Sequence, residues 1–351
     1  MKKFYLLFIC FSTLGFAQNK TEAEKKIREG VTLYDAGKYD EALSRYNEAL
    51  NLDKNNFFAL AEKAMTLEIM KKYDESIEVS ELVLKLYPKE DNATVYVTYG
   101  NALDHIGKSD LAIKAYNEGI KKYPDYYHLY FNKGIALYKV KETEKAAEAF
   151  QITTRLNPNH AGSYNALAVI DRSNRIPSIL ATGRYLILDN KSSRAKGNLE
   201  TMLTLMKQGV SKSGDNSINV SLSSISDDKT NNKKSNTDDF STVDIMLSMS
   251  ATQDLHEENK DKTEVQKFID KFSPVCRIMK EVKPKQKGYY WDFLAPYFIE
   301  MNDKNLLEPF ANIIFLSVQN KDAIQYSEQH QDKIKEFYNW SKNYNWKKHT
   351  S

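Results

Sequence analysis

A chain of 351 residues with 50 Lys and Arg against 47 Asp and Glu carries a formal charge of +3, too even a balance to follow a nucleic-acid backbone. The length allows two domains. A mean hydropathy of -0.59 excludes a bundle of membrane-spanning helices.

The first residues stand apart from the rest. Met1-Lys2-Lys3 is basic, Phe4 to Phe16 is apolar, and Gly15-Phe16-Ala17 offers small residues three and one before a cut. This reads as a secretory leader over 1–17, cleaved before Gln18. A retained anchor would need roughly 20 apolar residues, and the run is shorter. Lipidation at Cys10 would need a small residue before the cysteine, where Phe8-Ile9 stands. The mature chain is therefore expected beyond the inner membrane, in the periplasm or cell envelope, without a membrane span. Loss of Lys2 and Lys3 leaves 48 basic residues against 47 acidic, a net charge of +1. Only Cys276 remains, so an internal disulfide is impossible, and Val275 and Ile278 beside it predict a buried small hydrophobe.

From Ala23 to about Asn190 one pattern repeats with a period of 34 residues. Small residues recur at Gly30, Ala64, Gly100, Gly134 and Ala168; the one longer step absorbs Asp91-Asn92. Leu33, Leu67, Leu103 and Leu137 follow three positions later, and Tyr46, Ser80, Tyr116 and Phe150 sixteen later. In the first unit, Lys26 to Asp35 and Tyr39 to Leu50 carry apolar residues at helical spacing. Gly37 between them is free to take positive φ and end the first helix. Pro88, Pro124 and Pro158 stop the second helices of later units. Each unit thus reads as two antiparallel helices brought close by small residues at one face.

These residues resemble tetratricopeptide repeats. The resemblance rests on Gly30-Leu33-Gly37-Tyr39-Ala42-Tyr46-Ala49, Gly100-Leu103-Gly107-Ala112-Tyr116-Pro124 and Tyr130-Gly134-Leu137-Ala146-Phe150-Pro158. It implies an all-α solenoid of five helical hairpins at 23–56, 57–90, 93–126, 127–160 and 161–194. The second unit departs from the pattern at Ser76, Ser80 and Val83, the fifth at Asp171, Pro177 and Arg184. Arg194 to Met206 is expected to cap the open end of the stack, closing a repeat domain over 18–207.

The resemblance also implies a binding groove on the concave face for a protein or peptide partner. Its positions carry over to Ile27, Val31 and Tyr34; Phe58, Ala61 and Met65; Val97, Asn101 and Asp104; Phe131, Asn132, Ile135 and Tyr138; and Asn165, Val169 and Arg172. Some members of the family clamp a carboxylate with paired Asn and basic residues. Asn101 and Asn132 match, but Gly162 and Ala166 replace the basic partners, and the apolar share of the face points to a partly apolar ligand.

From Gln208 to Asp239 the composition turns to Ser, Asn, Asp, Lys and Gly, which reads as a flexible linker. Ile218, Val220 and Leu222 alternate with polar residues as a short strand would, one that must pair to persist. A second all-helical domain follows over 240–351, with helices expected from Val243 to Leu255, Val265 to a stop at Pro274, Cys276 to Val282, Tyr290 to Met301, Leu306 to Val318 and Ile324 to Tyr344. It holds all three tryptophans, Trp291, Trp340 and Trp346. These rings read as a core; a sugar or peptide site is the other reading. Three aromatics in a row at Tyr289-Tyr290-Trp291 cannot share one helix face, so one should be exposed or docked on the repeats. The end of the chain from Trp340 is expected to fray.

No catalytic pattern emerges. His256-Glu257 opens like a zinc-protease helix, but Lys260 stands where the second histidine belongs. The histidines show no ligand spacing, and phosphate loops and nucleophile elbows are absent. Asp292, Glu328, His330 and Trp291 form a site only if the fold brings them together. The expectation is a non-catalytic interaction adaptor of the envelope without cofactor or metal, against a repeat-targeted enzyme or carbohydrate module in the aromatic C-terminal domain.

Overall fold

The structure, a computed structural model, describes residues 2–214, 217–220 and 238–349, with side chains over 18–212, 218–220 and 238–348. The expected leader lies outside the described side chains; its backbone from Lys2 is helical. Eight helices form the first four hairpins: α1 Lys2–Asp35, α2 Tyr39–Leu52, α3 Phe57–Ile69, α4 Tyr73–Leu86, α5 Ala93–His105, α6 Ser109–Lys122, α7 Tyr127–Lys139 and α8 Thr143–Leu156. The fifth comprises α9 Ala161–Ile170 and α10 Arg175–Leu188. The all-α, helical-hairpin architecture is as the period predicts.

The turn inside each of the first four hairpins is the same device. Gly37, Lys71, Gly107 and Lys141 all adopt left-handed backbone, with φ of 74°, 62°, 81° and 65°. The next amides, Lys38, Lys72, Lys108 and Glu142, donate to the carbonyls of Leu33, Leu67, Leu103 and Leu137 at 2.8–2.9 Å. This 6→1 bond is the Schellman motif, which satisfies carbonyls that the helix end leaves open. The periodic leucines therefore mark the helix ends as well as the core. The fifth turn differs: no residue between Asp171 and Asn174 has positive φ.

Close helix approach follows from the small positions. A Cβ on Gly30 would lie 2.5 Å from the Tyr46 ring, and one on Gly100 2.3 Å from the Tyr116 ring. The core then passes between units. Ala59 of α3 joins Ile27, Ala42 and Tyr46, and Leu129 and Ala136 of α7 join Tyr96, Leu103 and Tyr116. The Asp91-Asn92 insertion is tied to the following unit. The hydroxyl of Tyr123 donates to the Glu90 carbonyl at 2.8 Å and accepts from the Asn92 amide at 2.9 Å.

The chain divides into two compact units, 1–149 and 150–351. The division falls inside α8, not at the change in composition over 208–239, because α9 and α10 are built into the second unit. There α10 is buried along its whole length from Arg175 to Ile187. It packs against α9, α11 (Ala195–Lys207), α12 (Ser241–Ala251), α15 (Leu307–Phe315) and a π-helical turn at Tyr290–Leu294. Pro177 fits as the third residue of α10, where its missing N–H would have no helical partner. The helix expected to cap an open end, α11, is itself covered by α12 and by the 3-10 turn Leu316–Val318. The stack has no bare end there.

The alternating residues before the C-terminal helices do pair: β1 Val210–Gly214 and β2 Ser217–Val220 form an antiparallel hairpin with Val210 opposite Val220. Leu222 and the rest of the linker to position 237 lie outside the described residues. Asp238 and Asp239 are fixed. The Asp238 carboxylate accepts from the amides of Tyr290 and Trp291 at 2.8 and 3.0 Å, and burial pushes its carboxyl up to about 6.

Beyond it, α13 (Glu264–Val282), α14 (Ala295–Asp303), α16 (Lys321–Gln329) and α17 (Gln331–Lys342) complete the unit. Two helix boundaries differ from expectation. Pro274 does not stop α13, which runs on because Phe268, Phe272, Val275, Cys276 and Met279 bury one stripe through it. The single helix expected over 324–344 is broken at His330, whose φ and ψ of -124° and 46° leave the helical region. The tail does not fray: Tyr344 is buried, and Trp346 stacks on Tyr297 at 5.2 Å and 8°. Cys276 is buried as expected, and burial pushes its thiol up. All three residues of Tyr289-Tyr290-Trp291 are buried. Two of them dock on the repeat elements of this unit: the Tyr289 hydroxyl meets Thr154 at 2.8 Å, and Tyr290 donates to Asp171.

Lys71→Gly and Lys141→Gly should each raise stability by about 0.5–1 kcal/mol, since a side chain in left-handed backbone costs about 1 kcal/mol. Gly100→Ala should lower it by about 1–3 kcal/mol through overpacking against Tyr116. Denaturant unfolding of the three variants measures these differences; equal stability of Lys141→Gly and the parent would contradict the assignment of strain to the turn.

Candidate partner-binding face

The first helices of the hairpins carry the expected groove residues, and the structure treats them unequally. Phe58 is 65% exposed although Ala59 and Leu60 beside it are buried. Tyr138 and Ile135 of α7 are 47% and 37% exposed. Tyr34, Met65 and Phe131 are half-buried, and Ile27 is nearly buried in the core with Ala23 and Tyr46. Tyr34 packs edge-on against Tyr39 at 5.3 Å.

The polar members are partly committed. Asn101 accepts the Tyr116 hydroxyl at 2.8 Å, and Asn132 donates to the His128 carbonyl of its own helix at 2.8 Å. Asp104 is taken by Ser109 and Lys139. In the second unit Asn165 accepts from Asn198 at 2.8 Å, and Arg172 is exposed. Of the two asparagines that match a carboxylate clamp, Asn101 thus ties α5 to α6 and Asn132 bonds within its own helix.

Ile27 and Phe58 meet in a cleft of about 580 Å³ where the chain passes from the first hairpin to the second. Phe57 and Tyr87 line it as well; Phe57 packs edge-on against Phe58 at 5.2 Å and Tyr87 at 5.4 Å. Lys20, Arg28, Asp53 and Glu90 surround this aromatic floor with both signs of charge.

Periodicity alone missed two carboxylates on α3. Glu62 follows Phe58 by one helical turn and so shares its face. Burial raises its carboxyl, and the nearby Asp35 adds to the shift. Glu62 is in no ion pair among the described residues. Burial raises Glu68 too, against the opposing pull of His105, whose Nε2 lies 3.8 Å away. A polar residue inside an apolar stripe is the only trace such a site leaves in a sequence.

The residues weighed for chemistry in the C-terminal part do not converge. Trp291 is fully buried, stacked on Phe240 at 4.1 Å, with its indole N–H on the Asp239 carbonyl at 3.0 Å. Asp292 accepts from the Gly288 amide, whereas His330 lies exposed against Tyr326 with Glu328 exposed nearby. The rings form the domain's core instead: Phe268, Phe272, Phe298, Phe310 and Phe337 are all fully buried.

Residues 59–90 and 100–169 match family models described as tetratricopeptide repeat. This chain carries tetratricopeptide repeats. It is 26% identical over 132 residues to a TPR repeat-containing protein of Methanocaldococcus jannaschii, covering 38% of this chain and 23% of that protein. It is 35% identical over 106 residues to the small glutamine-rich tetratricopeptide repeat-containing protein of Dictyostelium discoideum, covering 30% and 31%. The chain therefore spans less than a third of the length of these relatives. A solved thermophilic TPR protein of Thermus thermophilus is 19% identical, covers 52% of this chain and 99% of its own, and superposes with a TM-score of 0.44. Stacked repeats of this type present extended protein-binding surfaces, so the chain contains a protein-interaction module.

Burial of Glu62 favours its neutral form, so its ionisation costs folding free energy at neutral pH and costs nothing below the unfolded carboxylate range near pH 4. Glu62→Gln should therefore be more stable than the parent at pH 7 and indistinguishable from it near pH 3.5, as read by unfolding at both pH values.

Proposed function

We propose that this protein is a non-catalytic adaptor of the bacterial cell envelope that holds a peptide or partner segment on the first-helix face of its repeats. The observation that carries the reading is Phe58, 65% exposed at the mouth of the Ile27 cleft. With Phe57 and Tyr87 it makes a contiguous aromatic patch rimmed by charge, and a patch of that kind supports a surface that another molecule covers. Ile27, Tyr34, Met65, Phe131, Ile135 and Tyr138 extend the apolar contact, Asn101 and Asn132 supply its polar positions, and Glu62 draws a cation on the ligand; Asn165 and Arg172 take the matching first-helix positions of the fifth hairpin, in the other compact unit. The envelope setting rests on the leader pattern of Met1 to Ala17.

Two variants of the mature chain, Phe58→Ala and the triple change of Phe131, Ile135 and Tyr138 to Ala, would be compared with the parent in capture of partners from envelope extract. Each should lose at least one partner by about tenfold or more, as expected for the loss of an aromatic anchor. Retention of every partner by both variants would remove the first-helix face from the account. Fractionation of cells expressing the full chain tests the setting, with the shortened mature form expected outside the cytoplasm.

A further inference from the structure

A cleft of about 780 Å³ lies on the C-terminal unit between α12 and α13, far in sequence from the repeats' first helices. Its apolar wall includes Val220, Met246, Met249 and Ile269, and Met249 is 58% exposed, more than any other large apolar side chain described in 150–351. Unbranched thioethers adapt to side chains of different shape, which suits a surface that receives a ligand.

Two polar features stand beside that wall. Pro274 lines the cleft and has no N–H, so the Asp270 carbonyl, one turn earlier in α13, has lost its helical donor. Arg277 is exposed one turn further on and is in no ion pair among the described residues. The other cation of the cleft, Lys262, is already held by the Asp270 carboxylate at 2.7 Å.

We infer that this cleft binds an extended segment of a partner protein in which an apolar side chain stands next to a carboxylate. The apolar side chain seats against Met246 and Met249. The carboxylate meets the Arg277 guanidinium, whose planar fork matches it. A backbone N–H of the segment donates to the Asp270 carbonyl. That last contact selects an extended ligand, because a helix uses its own amides internally whereas an extended chain leaves them free. The cleft uses none of the residues proposed for the repeat face, so a segment bound here draws on a different set of side chains.

The test pans the full chain with a phage-displayed library of random octapeptides, in parallel with Met249→Asp and Arg277→Glu. Both side chains are exposed, and thermal melting checks that the variants stay folded. Peptides that require Met249 should carry Asp or Glu within two positions of Leu, Ile or Met, and should bind Arg277→Glu at least about tenfold more weakly. A pool indifferent to both substitutions overturns the inference. So does a Met249-dependent pool with no acidic preference or no response to Arg277→Glu. Self-association of the parent that Met249→Asp abolishes would assign the cleft to a second copy, and would overturn it as well.

Discussion

What a repeat places sixteen residues after its small position decides how its two helices meet. Tyr46 and Tyr116 lay their rings where a methyl on Gly30 or Gly100 would stand, so those units need glycine. In the second repeat both positions change, to Ala64 and Ser80, and both are buried. In the fifth, the residue sixteen after the small Ala168 is Arg184. A ring can only fill space, whereas a guanidinium must also be bonded, and this difference turns the last repeat from one more unit of a stack into the anchor of a domain.

Arg184 is 1% exposed, and no carboxylate pairs with it among the described residues. Its charge is met by neutral groups. It donates to Ser341 and Asn159 at 2.9 Å each and to the Pro158 carbonyl at 3.2 Å, and it lies 5.0 Å from the ring centres of both Tyr297 and Trp346. Those partners come from the preceding turn, α14, α17 and the tail, so one side chain holds four stretches of sequence in register. Arg175, at the other end of α10, does the same toward α12 through the Asp244 carboxylate at 2.6 Å and Ser248 at 2.7 Å. Buried charges of this kind add little net stability over an apolar core of the same volume. Their effect is directional: an apolar α10 could slide or rotate among its neighbours, and one with two guanidiniums cannot do so without stranding a charge.

The repeats were legible because their constraint is local and periodic. The Schellman turns, the small positions and the leucines recur at fixed spacing, and each can be assigned without knowing what lies across the fold. Arg184 and Asp171 registered only as departures from the pattern, because their partners lie more than 100 residues away in Tyr297, Ser341 and Tyr290. The same limit explains Pro274: the local rule ends a helix there, but the buried stripe on both sides of it outweighs one lost hydrogen bond. At His330 the error runs the other way, since apolar spacing continues across a residue that leaves helical geometry. Of the partner-binding face, the apolar members follow from register alone, while Glu62 shows its unusual surroundings only when its burial is seen.

The contrast within α3 bears on function more than any resemblance does. Ala59, Leu60, Ala64 and Leu67 are buried, so the helix has satisfied its packing. Phe58 is then free to be any residue the core does not constrain, and exposing a phenyl ring gives the isolated chain nothing. Glu62, one turn on, is held in surroundings that raise its carboxyl. The packing of α3 requires neither of them. Their adjacency is accounted for if the face is completed by a ligand: an apolar group that covers the ring also dries the carboxylate, and a cation beside that group then gains most from the charge that burial makes costly.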